Sequence, residues 1–199
     1  MNAPLTVRTL EGEALTDALE GLARLRLTVF REWPYLYAGT ADYERWYLER
    51  FAAAPDAVIV AAFAGDALVG AATAAPLAHE HDAFKAPFEA NGYAVEQIFY
   101  FAESVLLPDW RGRGLGHRFF DLREDHARAS GFRLATFCAV VRPDDHPLQP
   151  EGYRPLDPFW RNRGYAPVEG LVTTFSWRDL DRDAETEKPM QFWLKRLTD

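Results

Sequence analysis

The residues best placed to do chemistry lie between Ser104 and His117. An apolar run, Val105-Leu106-Leu107, enters a turn holding Arg111, Gly112, Arg113, Gly114 and Gly116, and a helical pattern begins at once with Leu115. Glycines allow backbone approaches that side chains forbid, successive N–H groups converge on an anion, and a helix start adds partial positive charge. This order predicts a cradle for a pyrophosphate, with N–H donors from residues 111–116 and added charge from Arg111, Arg113 and Arg118. Arg123 continues the basic stretch. A dinucleotide fingerprint is excluded, because the glycines run Gly112-x-Gly114-x-Gly116, position 117 is His, and no acid lies near Thr136. No Gly-Lys-Ser/Thr follows either, which excludes a Walker-type site.

Around this turn the elements read in a clear order. Leu5–Leu10 makes a first strand, and Leu15, Leu19, Leu22, Leu25 and Val29 recur at helical spacing until Pro34. An aromatic loop, Tyr35 to Gly39, leads to a second helix that Asp42 can cap. The runs 57–64 and 68–75, split by Gly65-Asp66, read as a hairpin of buried strands. Residues 76–96 form an insertion with a short helix, and residues 97–107 form one strand. The helix after the glycine turn ends at Gly131, and residues 133–141 return as a strand, so strand, helix and strand form a parallel crossover. A Pro-, Asp- and His-rich loop (142–156), a short helix opened by Asp157-Pro158, and strands near 171–177 and 190–194 complete the chain. The expected fold class is α/β: a single-domain mixed sheet over residues 1–199, with its core in 5–178 and a C-terminal strand at 190–195.

Composition narrows the function. With 199 residues, 48% of them hydrophobic, the chain can bury a full core. Thirty acids against 22 bases give a formal charge of −8, which disfavours nucleic acid and favours cationic small molecules. No apolar run reaches the length of a membrane span and no secretory leader is visible, so the expectation is a cytoplasmic protein with no membrane partner. The single cysteine, Cys138, sits in an apolar strand pattern and reads as core. The cluster His79-Glu80-His81-Asp82 with Asp144-Asp145-His146 fits no zinc spacing, so no metal is expected, and the same residues could instead contact an amine substrate.

The spacing Arg111-x-x-Gly114-x-Gly116, Pro108 three residues before Arg111, and Phe159-Trp160-Arg161-Asn162-Arg163-Gly164-Tyr165 together resemble the GNAT superfamily of acyl-CoA-dependent N-acyltransferases. The run 138–143 and the ending 189–195 resemble a bacterial subgroup of it without an assigned substrate. The resemblance implies the GNAT fold, acetyl-CoA as co-substrate, and acetyl transfer to a primary amine of a small molecule in a ternary complex. The partner is then a small-molecule amine, and the chain a monomer or homodimer. A non-catalytic acyl-CoA sensor on the same fold is the alternative. Cofactor contacts are expected from Val105, Leu106, Leu107, Arg111, Gly112, Arg113, Gly114, Leu115, Gly116, His117 and Trp160, with the preceding strand splayed so that its backbone meets pantetheine.

Glu103, an acid inside an apolar strand, is the expected general base, since a buried charge is costly without a role and burial raises a carboxyl pKa. Glu96, His79, His81 and His146 are alternatives. The superfamily's usual acid tyrosine is replaced by Trp160, whose indole can only donate, so Tyr165, Tyr153 or water takes that part. Tyr35, Tyr37, Tyr43, Trp46 and Tyr47 offer an aromatic wall. Trp33, Tyr37, His81 and His146 are the expected substrate contacts.

Overall fold

Alternation along the two apolar runs decides the layering. The computed structural model describes residues 4–197. In chain order the elements are β1 (Leu5–Leu10), α1 (Gly12–Val29), α2 (Ala41–Ala52), β2 (Val58–Ala64), β3 (Ala67–Pro76), α3 (Asp82–Ala90), β4 (Ile98–Tyr100), β5 (Ser104–Leu106), α4 (Leu115–Ala129), β6 (Leu134–Val140), α5 (Asp157–Asn162), β7 (Ala166–Arg178) and β8 (Glu185–Arg196). Ile59 and Ala61 of β2 face α1 and α2, where Leu15, Leu22, Leu25, Leu48 and Phe51 close one core. Val60 and Ala62 face the other way, onto Leu115 and Phe119 of α4. The sheet is therefore buried on both sides, as its unbroken apolar strands require. Ala61, Ala71, Ala72, Ala74 and Ala75 are all buried, and their small size lets helices sit close on either face.

The eight strands form one mixed α/β sheet in the order β1-β2-β3-β4-β6-β8-β7, with β5 pairing β3. All pairs among the described residues are antiparallel except β4 with β6, which are parallel and joined through α4 as expected. The stretch read as one strand over 97–107 is broken. Tyr100 pairs with Thr136 and Phe101 N–H donates to the Thr136 carbonyl, after which the chain leaves β6 and resumes as β5 against Gly70–Ala72 of β3. From Phe137 onward β6 pairs only with β8 among the described residues. Two parallel neighbours thus part company, and the wedge between them opens at the end nearest the glycine turn.

A buried arginine braces the break. Arg123 on α4 is 1% exposed. Its Nη1 donates to the carbonyls of Thr73 (3.2 Å) and Glu103 (3.3 Å), its Nη2 to Ser104 Oγ (2.9 Å) and its Nε to the Phe119 carbonyl (3.1 Å). It also lies over the Phe101 and Phe120 rings. Arg123 therefore belongs to the core and not to the basic surface that the sequence suggested. Burial lowers its pKa to about 10, which still leaves it charged near neutrality.

Residues 76–96, read as an insertion with a short helix, hold α3 between two single 3-10 turns. The last two strands are longer than the sequence pattern indicated, at 13 and 12 residues, because exposed positions of a hairpin need not be apolar.

Candidate active site

The cofactor side is built by the β5–α4 connection. A 3-10 turn at Pro108–Trp110 carries the chain into Gly112 (φ +72°) and Gly114 (φ +79°), the latter being the N-cap of α4. Both glycines hold the left-handed conformation that other residues adopt only under strain. A Cβ built at either meets nothing within 4 Å, so this backbone faces open space. The first amide to bond back into the helix is that of Arg118, to Gly114 (3.2 Å). The N–H groups just before it make up the helix's free donor set. Gly116 differs, since a Cβ there would touch Phe159 at 3.5 Å, and the His117 ring meets the same phenyl with centroids 4.8 Å apart. Gly116 lets α5 lie against the start of α4.

The sequence-nominated cofactor residues fall into three groups. Gly112, Gly114, Leu115, Gly116 and His117 line the helix start. Val105, Leu106 and Leu107 run along the wedge, with Val105 fully buried and paired to Ala71, and the opposite edge of β5 meeting no described strand. Trp160 packs instead on Phe137 and Trp193, with ring centroids 5.0 Å from each. Arg111 is engaged elsewhere: Nη1 pairs with Glu32 at 2.8 Å and Nε donates to the Leu106 carbonyl at 3.1 Å. Arg113 donates to the Asp109 carbonyl and lies over the Trp110 ring. Arg118 is exposed. The free N–H donors, the open space beside Gly112 and Gly114, and the unpaired strand edge suit the diphosphate and pantetheine of coenzyme A.

The opposite face of the wedge is acidic and aromatic. Glu103, 6% exposed, follows the strand break and points toward α1 and α2. Arg26 Nη1 pairs with its Oε2 at 2.7 Å, and the Tyr47 hydroxyl donates to the same oxygen at 3.3 Å. Arg26 Nε also pairs with the fully buried Glu44. Burial works against the charge on Arg26, but Glu103, Tyr47 and Glu44 outweigh it and hold the guanidinium more firmly protonated. Glu103 Oε1 and Glu44 Oε1 are buried without a hydrogen-bond partner.

Glu80, named from the sequence only as part of the His79–Asp82 cluster and not as the base, has the distinctive titration. Burial, reinforced by the negative charge of Glu103, raises its pKa to about 7. Glu80 ends the 3-10 turn that follows β3, and its charge helps raise the Tyr47, Tyr100 and Cys138 groups. Tyr100 and Cys138 bridge β4 and β6, Oη to Sγ at 3.1 Å. Burial pushes the Cys138 thiol up to about 12, which leaves it inert near neutrality.

Other nominated residues scatter. Tyr165 is 1% exposed on the α4 face of the sheet, across from Glu103, and its hydroxyl donates to Glu124 Oε1 at 3.2 Å. Burial and Glu124 hold that phenol well above its ordinary range. Trp33 and His146 do come together, with centroids 5.0 Å apart, and Tyr153 joins them at 5.9 Å from Trp33. Trp33 Nε1 is buried without a partner. Tyr37 lies beside Glu44, and burial with that carboxylate raises its phenol. His81 caps α3, its Nδ1 accepting the Ala83 N–H at 3.2 Å. Glu96 lies in the 3-10 turn leading into β4. Among the described residues no group of three His, Cys, Asp or Glu is placed to hold a metal ion, and no helix is long and apolar enough to cross a membrane.

The segment carrying Trp33 and Tyr35 is latched across the wedge. Arg142, just past β6, donates to the carbonyls of Pro34 (2.8 Å) and Tyr35 (2.7 Å) and grips both oxygens of Asp179 (2.8 and 2.9 Å). Burial opposes the charge on Asp179, but Arg142 and Lys188 overcome it and keep its carboxyl below the usual range. Trp177 Nε1 adds a bond to the Tyr35 carbonyl at 2.9 Å.

Comparison with known proteins agrees with this geometry. The acetyltransferase (GNAT) family matches residues 22–150. None of the curated proteins matches the chain. Several solved structures share the fold. An N-acetyltransferase from Staphylococcus aureus superposes with a TM-score of 0.60 at 13% identity, covering 98% of this chain and 100% of that one. An acetyltransferase from Thermus thermophilus gives 0.58 at 15% identity, covering 99% and 100%. The yncA protein of Salmonella typhimurium, solved with its cofactor acetyl-CoA, gives 0.56 at 13% identity, covering 98% and 95%. With the glycine cradle, the crossover and the parted strands in place, this chain belongs to the GNAT acetyltransferase family.

Proposed function

We propose that the protein transfers an acetyl group from acetyl-CoA to the primary amine of a small molecule, by direct attack in a ternary complex. The observation that carries this reading is the wedge itself. It has the free N–H donors of α4 at one mouth and the unpaired edge of β5 along its side. Bound acetyl-CoA supplies an activated acetyl thioester. The backbone from Gly112 to His117 holds the diphosphate, and the open edge of β5 pairs with the pantetheine arm. A β5 N–H facing the thioester oxygen stabilises the charge that develops there.

Glu80 takes the part of general base in place of Glu103, which is already committed to Arg26 and Tyr47. A carboxylate near pH 7 is matched to removing a proton from an ammonium at working pH. Glu80 hands the ammonium's proton on to water and is again a carboxylate; the neutral amine nitrogen then attacks the acetyl carbon, the N–C bond forms, the C–S bond breaks, and the second nitrogen proton passes to Glu80, which returns it to the hydroxide left when water protonates the sulfur. The leaving sulfur takes its proton from water, because the Tyr165 hydroxyl is engaged by Glu124. Holding both partners in one wedge contributes much of the acceleration.

The test is thiol release from acetyl-CoA across a panel of primary amines. Amine-dependent release with an N-acetylated product is expected. Tight acetyl-CoA binding with no turnover on any amine would favour the sensor alternative.

A further inference from the structure

We infer that Arg111 is a strap across the open edge of β5, held shut by Glu32, and that coenzyme A opens it: the pantetheine arm takes over the Leu106 carbonyl and the diphosphate takes over the guanidinium. This rests on coenzyme A binding in the wedge and adds a self-inhibitory contact to that site. Three observations carry it.

First, Arg111 occupies the edge that a pantetheine arm would use. The Leu107 N–H donates to the Val69 carbonyl of β3, while Leu106 lies opposite Gly70 and Val105 opposite Ala71. Main-chain groups of successive strand residues point to opposite sides, so Leu106 turns its N–H and carbonyl away from β3, toward the wedge. The partner of that carbonyl is Arg111 Nε, at 3.1 Å. An incoming amide can pair with it only after Nε lets go.

Second, a carboxylate from a distant segment holds the guanidinium in that place. Arg111 Nη1 pairs with Glu32 Oε2 at 2.8 Å, across 79 residues of sequence. A tight turn presents Glu32: its N–H donates to the Val29 carbonyl, and its own carbonyl accepts from the N–H groups of Tyr35 (3.1 Å) and Leu36 (3.0 Å). Two acceptors on different segments thus fix one side chain.

Third, the strap is built to be exchanged. The Arg111 and Glu32 side chains are 45% and 40% exposed, so water screens the pair and parting it costs little. Arg111 adjoins Gly112, the first of the two left-handed glycines beside the helix donors. A diphosphate drawn to those donors carries more charge than one carboxylate and accepts a guanidinium through two oxygens. Glu32 is then a built-in competitor of the diphosphate.

The test is isothermal titration with two probes, coenzyme A and pantetheine, which lacks the diphosphate. It is run at physiological ionic strength, where exposed charges more than about 8 Å apart are largely screened. In Arg111→Ala the two affinities should move in opposite directions. Pantetheine should bind at least about threefold more tightly, because the Leu106 carbonyl is released, and coenzyme A at least about fivefold more weakly, because a cation for the diphosphate is gone. Glu32→Gln should tighten coenzyme A about threefold, and that gain should vanish in the Arg111→Ala background. Pantetheine that binds Arg111→Ala no better, or not at all, would overturn the strap and leave coenzyme A binding standing. So would coenzyme A affinity that does not fall in Arg111→Ala, or a Glu32→Gln gain that is absent or that survives without Arg111. No heat with coenzyme A in the unaltered protein would overturn both.

Discussion

In the proposed reaction Glu80 is the general base. Its carboxyl is raised to about 7 by burial and by the charge of Glu103. As a base it must be ionised, so the rate should climb as pH rises through about 7 and level off above it. Glu80→Gln should remove that limb and cost about 100-fold or more in kcat, checked by a pH–rate profile with a saturating amine. Glu103→Gln should shift the limb to lower pH, because it deletes the like charge that keeps Glu80 protonated. An unmoved limb in Glu103→Gln would separate the two carboxylates. The sequence pointed to Glu103 because an acid inside an apolar strand stands out. It could not point to Glu80 as the base, since burial and the charge of Glu103, distant in sequence, are what raise its carboxyl. Tyr165 illustrates the converse. It sits in a family-like motif, yet its side chain serves the core through Glu124.

At the scale of elements, the break between β4 and β5 and the start of α4 make the site. Continuous apolar runs announced the strands, and the glycine turn announced the helix start. The interruption at residues 101–103 was illegible, because every residue there but Glu103 suits a strand. It depends on Arg123 reaching across from α4 to the Thr73 and Glu103 carbonyls. Arg123→Met should therefore cost about 2–4 kcal/mol in urea unfolding, leaving buried carbonyls unsatisfied, and Arg123→Lys should recover part of it. Gly70 belongs to the same arrangement. A Cβ there would lie 2.5 Å from Leu106 and 3.2 Å from Phe119, so glycine is what allows β5 and α4 to close on β3. Gly114→Val places a β-branched residue at φ +79° and a side chain in the space facing the helix donors. We expect coenzyme A affinity to fall at least about tenfold, with the fold retained by circular dichroism.

At the scale of the whole molecule, the chain joins distant segments beside the proposed acceptor side. The loop after α1, the turn after β6 and the end of β7 meet at Arg142 and Asp179, which lie 37 residues apart in sequence. Arg142→Ala should loosen the Trp33–Tyr35 segment and raise the acceptor KM several-fold, while coenzyme A affinity, measured separately, stays unchanged. The order of elements and the mixed sheet could be read from the sequence, since each depends on local patterning. The latch could not, because it consists of one arginine in a loop rich in proline and aspartate.

All of this depends on the backbone from Gly112 to His117 clasping the diphosphate of coenzyme A. Isothermal titration with coenzyme A and with pantetheine, which lacks the diphosphate, tests it most directly. We expect coenzyme A to bind at least about 100-fold more tightly, with that margin largely lost in Gly114→Val. Equal affinity for the two ligands, or no heat with coenzyme A, would contradict it.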